Sequence, residues 1–162
     1  SQVLGCDYDF EGGRLIAKEM ADLLCLELVE KGLVTDSISL YVGYSRRLQK
    51  KSAHGTITMP VTTSSAKKIM GYTQELFEQI VDRNAPIHRV TLAFNRVVDE
   101  MYQQYDLFTD PAEIEREHKI QKTMLEIKEK FGKNAILKGM NLEKGATTIE
   151  RNRQIGGHKS GE

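Results

Sequence analysis

Cysteine is scarce in this chain of 162 residues: Cys6 and Cys25 stand alone, without CxxC spacing or a neighbouring histidine. Their isolation argues against a zinc site and for two small apolar residues buried in a reducing compartment. A surplus of one charge is missing too. Basic and acidic residues balance at 23 each, so any cationic field that meets nucleic acid has to be local. Long hydrophobic runs are also absent. No stretch approaches the ~20 apolar residues that a membrane helix needs, and no basic-then-apolar leader opens the chain. The expectation is a cytoplasmic chain with no membrane association. Its start at Ser1, without methionine, reads as a piece of a longer protein.

Catalytic groupings are missing as well. The four histidines, His54, His88, His118 and His158, are isolated, with no pair at the i,i+4 spacing that shares a metal. No nucleophile sits in a strained elbow, and the acids are spread over solvent faces of helices. His54, beside Gly55 at a strand start, fits phosphate contact or plain exposure. His118 reads as solvated among helical charges, and His158 as exposed or as an anion contact in a flexible tail.

What is present is an alternation of periods. Residues 1 to 5 read as a strand tail. From Glu11 to Lys31, Ile16, Met20, Leu24 and Leu28 recur at helical spacing, and Gly32 follows as a stop. Residues 37 to 45 alternate Ile38, Leu40, Val42 and Tyr44 against Ser39, Tyr41, Gly43 and Ser45; residues 54 to 61 oppose Ile57, Met59 and Val61 to Thr56 and Thr58. Thr62, Thr63, Ser64 and Ser65 supply caps for a second helix to about Arg83, ended by Pro86. Residues 87 to 97 then put Val90, Leu92 and Phe94 inward and Arg89, Thr91, Ala93 and Asn95 outward. The expected fold is α+β: a β-α-β-β-α-β domain over residues 1–99, with a four-stranded sheet covered by two helices on one face.

Composition changes after residue 99. A linker, 100–109, leads to Asp110-Pro111-Ala112-Glu113, which combines a cap residue, proline at the first helical position and an acid to complete the cap. A third helix to Phe131 follows, with Ile120, Met124, Ile127 and Phe131 as a narrow stripe. Residues 110–162 thus form a helical extension and a Gly- and Arg-rich tail with too little apolar matter for its own core. The tail is expected to be mobile or to need a partner.

Two stretches carry chemistry. The arm from Tyr44 to Thr56 holds Arg46, Arg47, Lys50 and Lys51 and no acid, and it joins strands whose outward face is small and hydroxylated. Short side chains let a phosphate backbone come close while Lys and Arg supply charge, and Arg89 on a third strand extends the patch. A solvated hairpin is the equally weighted alternative. The second stretch is QYDLF, 104–108, where Leu107 and Phe108 stand side by side among polar residues. It is either a loop anchor folded onto the core, the simpler reading of five residues alone, or a plug inserted into an apolar pocket of another protein with Gln104 held by hydrogen bonds.

The segments SQVLGCDYDF, KKSAHGTITMP, IHRVTLAFN, QYDLF and RNRQIGGHKSGE, in that order, resemble the C-terminal part of a Y-family translesion DNA polymerase of the UmuC/ImpB/MucB-like group of Gram-positive bacteria. The resemblance implies a little finger domain over residues 1–99 whose sheet lies in the DNA major groove. It implies contacts to the DNA backbone from Ser1, Gln2 and Val3; from Lys51, Ser52, Ala53, His54, Gly55 and Thr56; and from Arg89 and Thr91. QYDLF is similar to the family's sliding-clamp-binding peptide, with Gln104, Leu107 and Phe108 in the key places, Asp106 between them, and Tyr105 where leucine is commoner. The implied partners are primer-template DNA, the sliding clamp and a recombinase or other damage-response protein. No cofactor is expected in this segment, since the family's magnesium-binding carboxylates belong to the palm, which the sequence lacks. The segment alone is expected to be inactive and the full-length protein to be a DNA-directed DNA polymerase of the SOS response. A different class remains open: an α+β regulatory or protein-interaction module that self-associates through its sheet or C-terminal helix.

Overall fold

The computed structural model describes residues 1–155 and 158–159, the side chains of Ile155, His158 and Lys159 excepted. The expectation for His158 therefore lies outside the described residues. Strand β1 (Gln2–Tyr8) leads into helix α1 (Phe10–Lys31), strand β2 (Leu33–Tyr44), strand β3 (Ala53–Thr63), helix α2 (Ala66–Ile80), strand β4 (Ile87–Asn95) and a two-residue strand β5 (Val98–Asp99). Helix α3 (Pro111–Phe131) and helix α4 (Thr148–Arg151) follow, then a short pair, β6 (Gln154–Ile155) and β7 (His158–Lys159). The sheet is antiparallel with order β1-β4-β2-β3, as four alternating segments demand, and β5 adds a fifth strand by pairing Val98 with Val34 and Asp99 with Leu33.

Local chemistry sets the boundaries. Asp9 caps α1 by accepting from the N–H of Gly12 at 2.7 Å, and Gly32 closes it with φ 65°, donating its N–H to the carbonyls of Leu28 and Val29. Ser65, last of the four hydroxyl residues before α2, is its cap and accepts from the N–H of Lys68. Asp110 caps α3, with Pro111 at the first position, over the span read from the sequence. Strand β4 stops at Asn95, earlier than the sequence pattern indicates, because Arg96 at φ 47° turns the chain back toward β5.

The core lies between the sheet and the two helices. Leu4, Ile38, Leu40, Val42, Val90 and Leu92 point to the side where Ile16, Met20, Ile69 and Phe77 pack, and all are buried. Cys25 is buried there too, and that burial pushes its thiol pKa well up. Cys6 differs from the expectation and is exposed on β1.

The extension finds its partner inside the chain. Glu19 of α1, 1% exposed, accepts from Asn141 Nδ2 at 2.7 Å and from the N–H groups of Thr147 at 2.7 Å and Thr148 at 3.2 Å. Asp22, one turn further on, is paired with Lys138. Helix α3 is tied to the start of α2, where the Glu117 carboxylate accepts from the Ser65 hydroxyl and the Lys67 N–H, and Gln121 donates to the Ser64 carbonyl. Its buried side chains are Ile114, Gln121 and Met124, so the expected stripe is only partly used: Ile120 and Phe131 are exposed. Polar ties rather than an apolar stripe set the rotation of this helix, and composition alone does not reveal them.

Glu19→Ala is expected to free residues 138–152 first. Each buried donor left without its acceptor costs about 1–3 kcal/mol. Limited proteolysis in rising urea should therefore cut within that segment before the sheet unfolds.

Candidate nucleic-acid interface

Strand alternation decides which side chains reach the open face. Counting across β4, β2 and β3, the outward rows are Arg89 with Gly43; Thr91 with Tyr41 and His54; Ala93 with Ser39 and Thr56; and Asn95 with Ser37 and Thr58. Val3 of β1 lies opposite Arg89. Among the described residues no helix covers this face: Val3, Tyr41, His54, Thr56, Thr58, Arg89 and Ala93 are exposed. The hydroxyl groups lace one another together. Ser39 and Thr56 share a 2.8 Å hydrogen bond, and Asn95 Nδ2 donates to Ser39 Oγ at 2.7 Å and Ser37 Oγ at 3.3 Å. The Tyr41 hydroxyl donates to Ser52 at 2.7 Å, and Thr91 to Ser1 at 3.0 Å. The result is a low, polar surface with few long side chains.

The cations sit at one end. The arm makes a 3₁₀ turn over Arg46–Leu48 and passes through Gln49 at φ 48° before returning to β3. Arg46, Arg47 and Lys51 are exposed and, with Arg89, make no ion pair among the described residues. Arg46 and Arg47 line a concavity with Ser45, Cys6, Asp7 and His88. Lys50 is different. It is paired with Asp82 at 2.9 Å over the ring of Tyr44, and that hydrogen bond raises its pKa; Asp82 is held below its ordinary value first by the Asn84 N–H and then by Lys50.

Most of the residues singled out from the sequence therefore share one face or its rim: Ser1, Val3, Arg46, Arg47, Lys51, Ser52, His54, Thr56, Thr58, Arg89 and Thr91. Four do not point that way. Ala53 lies opposite Val42 and packs against the core. Gln2 lies opposite Val90 on the helix side and is reached by the Thr147 hydroxyl. Gly55 lies opposite Leu40, and a Cβ there would stand 3.0 Å from Ile80 and 3.2 Å from Leu76, so its smallness serves the approach of α2. Lys50 is drawn back by Asp82. Arg96 was missed by sequence reasoning: it bridges Asp36 and Thr58 at the far end of the open face. Only the early end of β4, which no sequence pattern marks, puts it there.

QYDLF lies beyond β5 in the linker. Gln104 is tied to the end of β3: its N–H donates to the Thr62 carbonyl at 2.8 Å, and its side-chain oxygen accepts from the Thr62 N–H at 3.1 Å. Leu107 and Phe108 are 98% and 97% exposed, so neither folds back onto the core. Asp106, just before them, is well held. It accepts from Lys68 Nζ at 2.7 Å and, through its other oxygen, from the N–H groups of Phe108 and Thr109. The Lys68 hydrogen bond does most to hold the Asp106 pKa down at about 2.

The domain is thus a two-layer α+β unit with one open, hydroxylated sheet face, a cationic rim and a protruding apolar pair. The chain belongs to the impB/mucB/samB family C-terminal domain, whose family model matches residues 5–107. It is similar to a protein described as a putative UV-damage repair protein, UvrX, of Bacillus subtilis (strain 168), at 27% identity over 161 residues. That alignment covers 99% of this chain and 38% of the relative, so the chain spans well under half of the protein it matches. No solved structure matches.

The turn at Asp106 is expected to hold from neutral pH down to about 4 and to loosen as pH falls through about 2. A carboxyl whose folded pKa is depressed loses its stabilising ionised form only there. Following the Phe108 N–H shift by NMR against pH checks this; a midpoint at the ordinary value of 3.8 would mean that the Lys68 bond is not formed in solution.

Proposed function

We propose that this chain is the DNA-gripping and clamp-tethering part of an error-prone lesion-bypass DNA polymerase that works in DNA repair. The open face carries the reading. Small hydroxyl side chains let a sugar-phosphate strand lie close to the β2–β3–β4 surface, while Arg46, Arg47, Lys51 and Arg89 neutralise phosphates from its end. Such contacts hold a primer-template without reading its sequence, which suits an enzyme that copies damaged bases. Family membership and the printed description of the relative support the repair role. On this reading the chemistry, and the magnesium it uses, belong to parts of the full-length polymerase other than this segment. Leu107 and Phe108 plug an apolar pocket of the sliding clamp and keep the module at the primer end. A self-associating module built on the C-terminal helix has weaker support, because Met124 at the centre of its stripe is already buried within the chain.

Fluorescence anisotropy with primer-template DNA at rising salt tests the grip. Log affinity should fall with log salt by about 0.9 per phosphate neutralised on duplex, and an Arg46→Ala, Arg47→Ala, Lys51→Ala triple variant should flatten that slope by about 2 to 3 for every sequence tried. An affinity indifferent to salt would refute phosphate contact.

Clamp tethering makes a separate expectation. A Leu107→Ala, Phe108→Ala double variant should lose at least about a hundredfold in affinity for a purified bacterial sliding clamp, as two buried anchors are removed. Its DNA affinity should stay unchanged. Equal clamp binding by the double variant and the wild type would remove residues 104–108 from the account.

A further inference from the structure

The apolar pair at Leu107 and Phe108 is presented by a backbone turn that is fastened from outside the linear motif. Lys68, in the first turn of α2, donates from Nζ to Asp106 Oδ2 at 2.7 Å and to Thr109 Oγ1 at 2.8 Å. The remaining oxygen of Asp106 accepts from the N–H groups of Phe108 at 3.0 Å and Thr109 at 2.7 Å. The carboxylate therefore spans the turn, and Lys68 fixes the carboxylate to the folded domain. The ion pair is sheltered, with side chains 19% and 20% exposed, whereas the two apolar residues above it are almost fully in solvent. Folding thus orders the backbone here while leaving the side chains it carries unused.

We propose that Lys68 is a positioning residue for partner capture: it holds residues 106–109 in the turn from which Leu107 and Phe108 enter an apolar pocket, so the motif is shaped before it binds. The inference rests on the clamp reading of residues 104–108. A flexible linear motif loses backbone freedom when it docks, and its apparent affinity is reduced by the fraction of time spent in a competent shape. A turn held by Lys68 has already lost that freedom. Lys68 need not touch the partner; it acts through Asp106. The pentapeptide pattern contains no trace of this residue, which lies 38 positions before Asp106 in sequence.

The test uses the full 162-residue chain and a purified bacterial sliding clamp in isothermal titration. Lys68→Met keeps the length and removes the charge and the donors. It should raise Kd about tenfold, while Lys68→Arg, which can still donate to Asp106, restores most of the loss. Thr109→Val should fall between them. Amide exchange at Phe108 and Thr109 should quicken in Lys68→Met, with thermal stability and DNA affinity unchanged; a purely structural role would not produce that split. If Lys68→Met binds the clamp as the wild type does while the Leu107→Ala, Phe108→Ala variant has lost binding, the positioning role is overturned and the clamp reading stands. If the double variant also binds as the wild type does, both fall.

Discussion

Strand β2 is the constraint on which the molecule is built. It runs through the interior of the sheet, pairs on one side with β3 and on the other with β4, and its period of two sends Ile38, Leu40 and Val42 toward the helices. The same alternation sends Ser37, Ser39 and Tyr41 the other way. Helices α1 and α2 pack on one side of this sheet, and among the described residues the opposite face of β2–β3–β4 is left open, an arrangement that antiparallel sheets tolerate well. A slip of one residue in this register would exchange the faces, burying hydroxyls and exposing the core. The open face and the core are therefore two outcomes of one pairing.

The order β-α-β-β-α-β, the faces of β2 and β4, the stop of α1 at Gly32, and the start of α3 at Pro111 were all legible, because each rests on short-range chemistry written in neighbouring residues. The protruding character of Leu107 and Phe108 was not: five residues alone favour an anchor folded onto the core, and only their exposure in the structure decides against it. What sequence did not show depends on contacts between residues far apart in the chain. Gly55 looks like part of a phosphate-contacting arm until its neighbour Ile80 is known, and Lys50 looks free until Asp82 is placed beside Tyr44. The stripe on α3 misled for a related reason: Glu117 and Gln121, two polar residues, decide which side of that helix faces inward.

The extension makes the same point from the other direction. Residues 133–152 are poor in apolar matter, yet segment 138–148 rests on α1 because Glu19 and Asp22 offer buried acceptors to an amide, two backbone N–H groups and a lysine. This is binding by polar satisfaction rather than by hydrophobic area, in which each member depends on the others being present. It also explains why α1 is buried around most of its circumference: it has the sheet and α2 on one side and the extension on the other.

The tie between Gln104 and Thr62 has a mechanical consequence. The linker does not leave the domain at the end of β5; it is tied again at β3, an edge strand whose other end joins the cationic arm. Whatever takes hold of Leu107 and Phe108 therefore pulls on α2 through Lys68 and, through two hydrogen bonds to the backbone of Thr62, on the strand that carries His54, Thr56 and Thr58. Load is passed along β3 rather than absorbed by a slack cord, so a tug at one end of the module reaches its opposite end through a stiff rod.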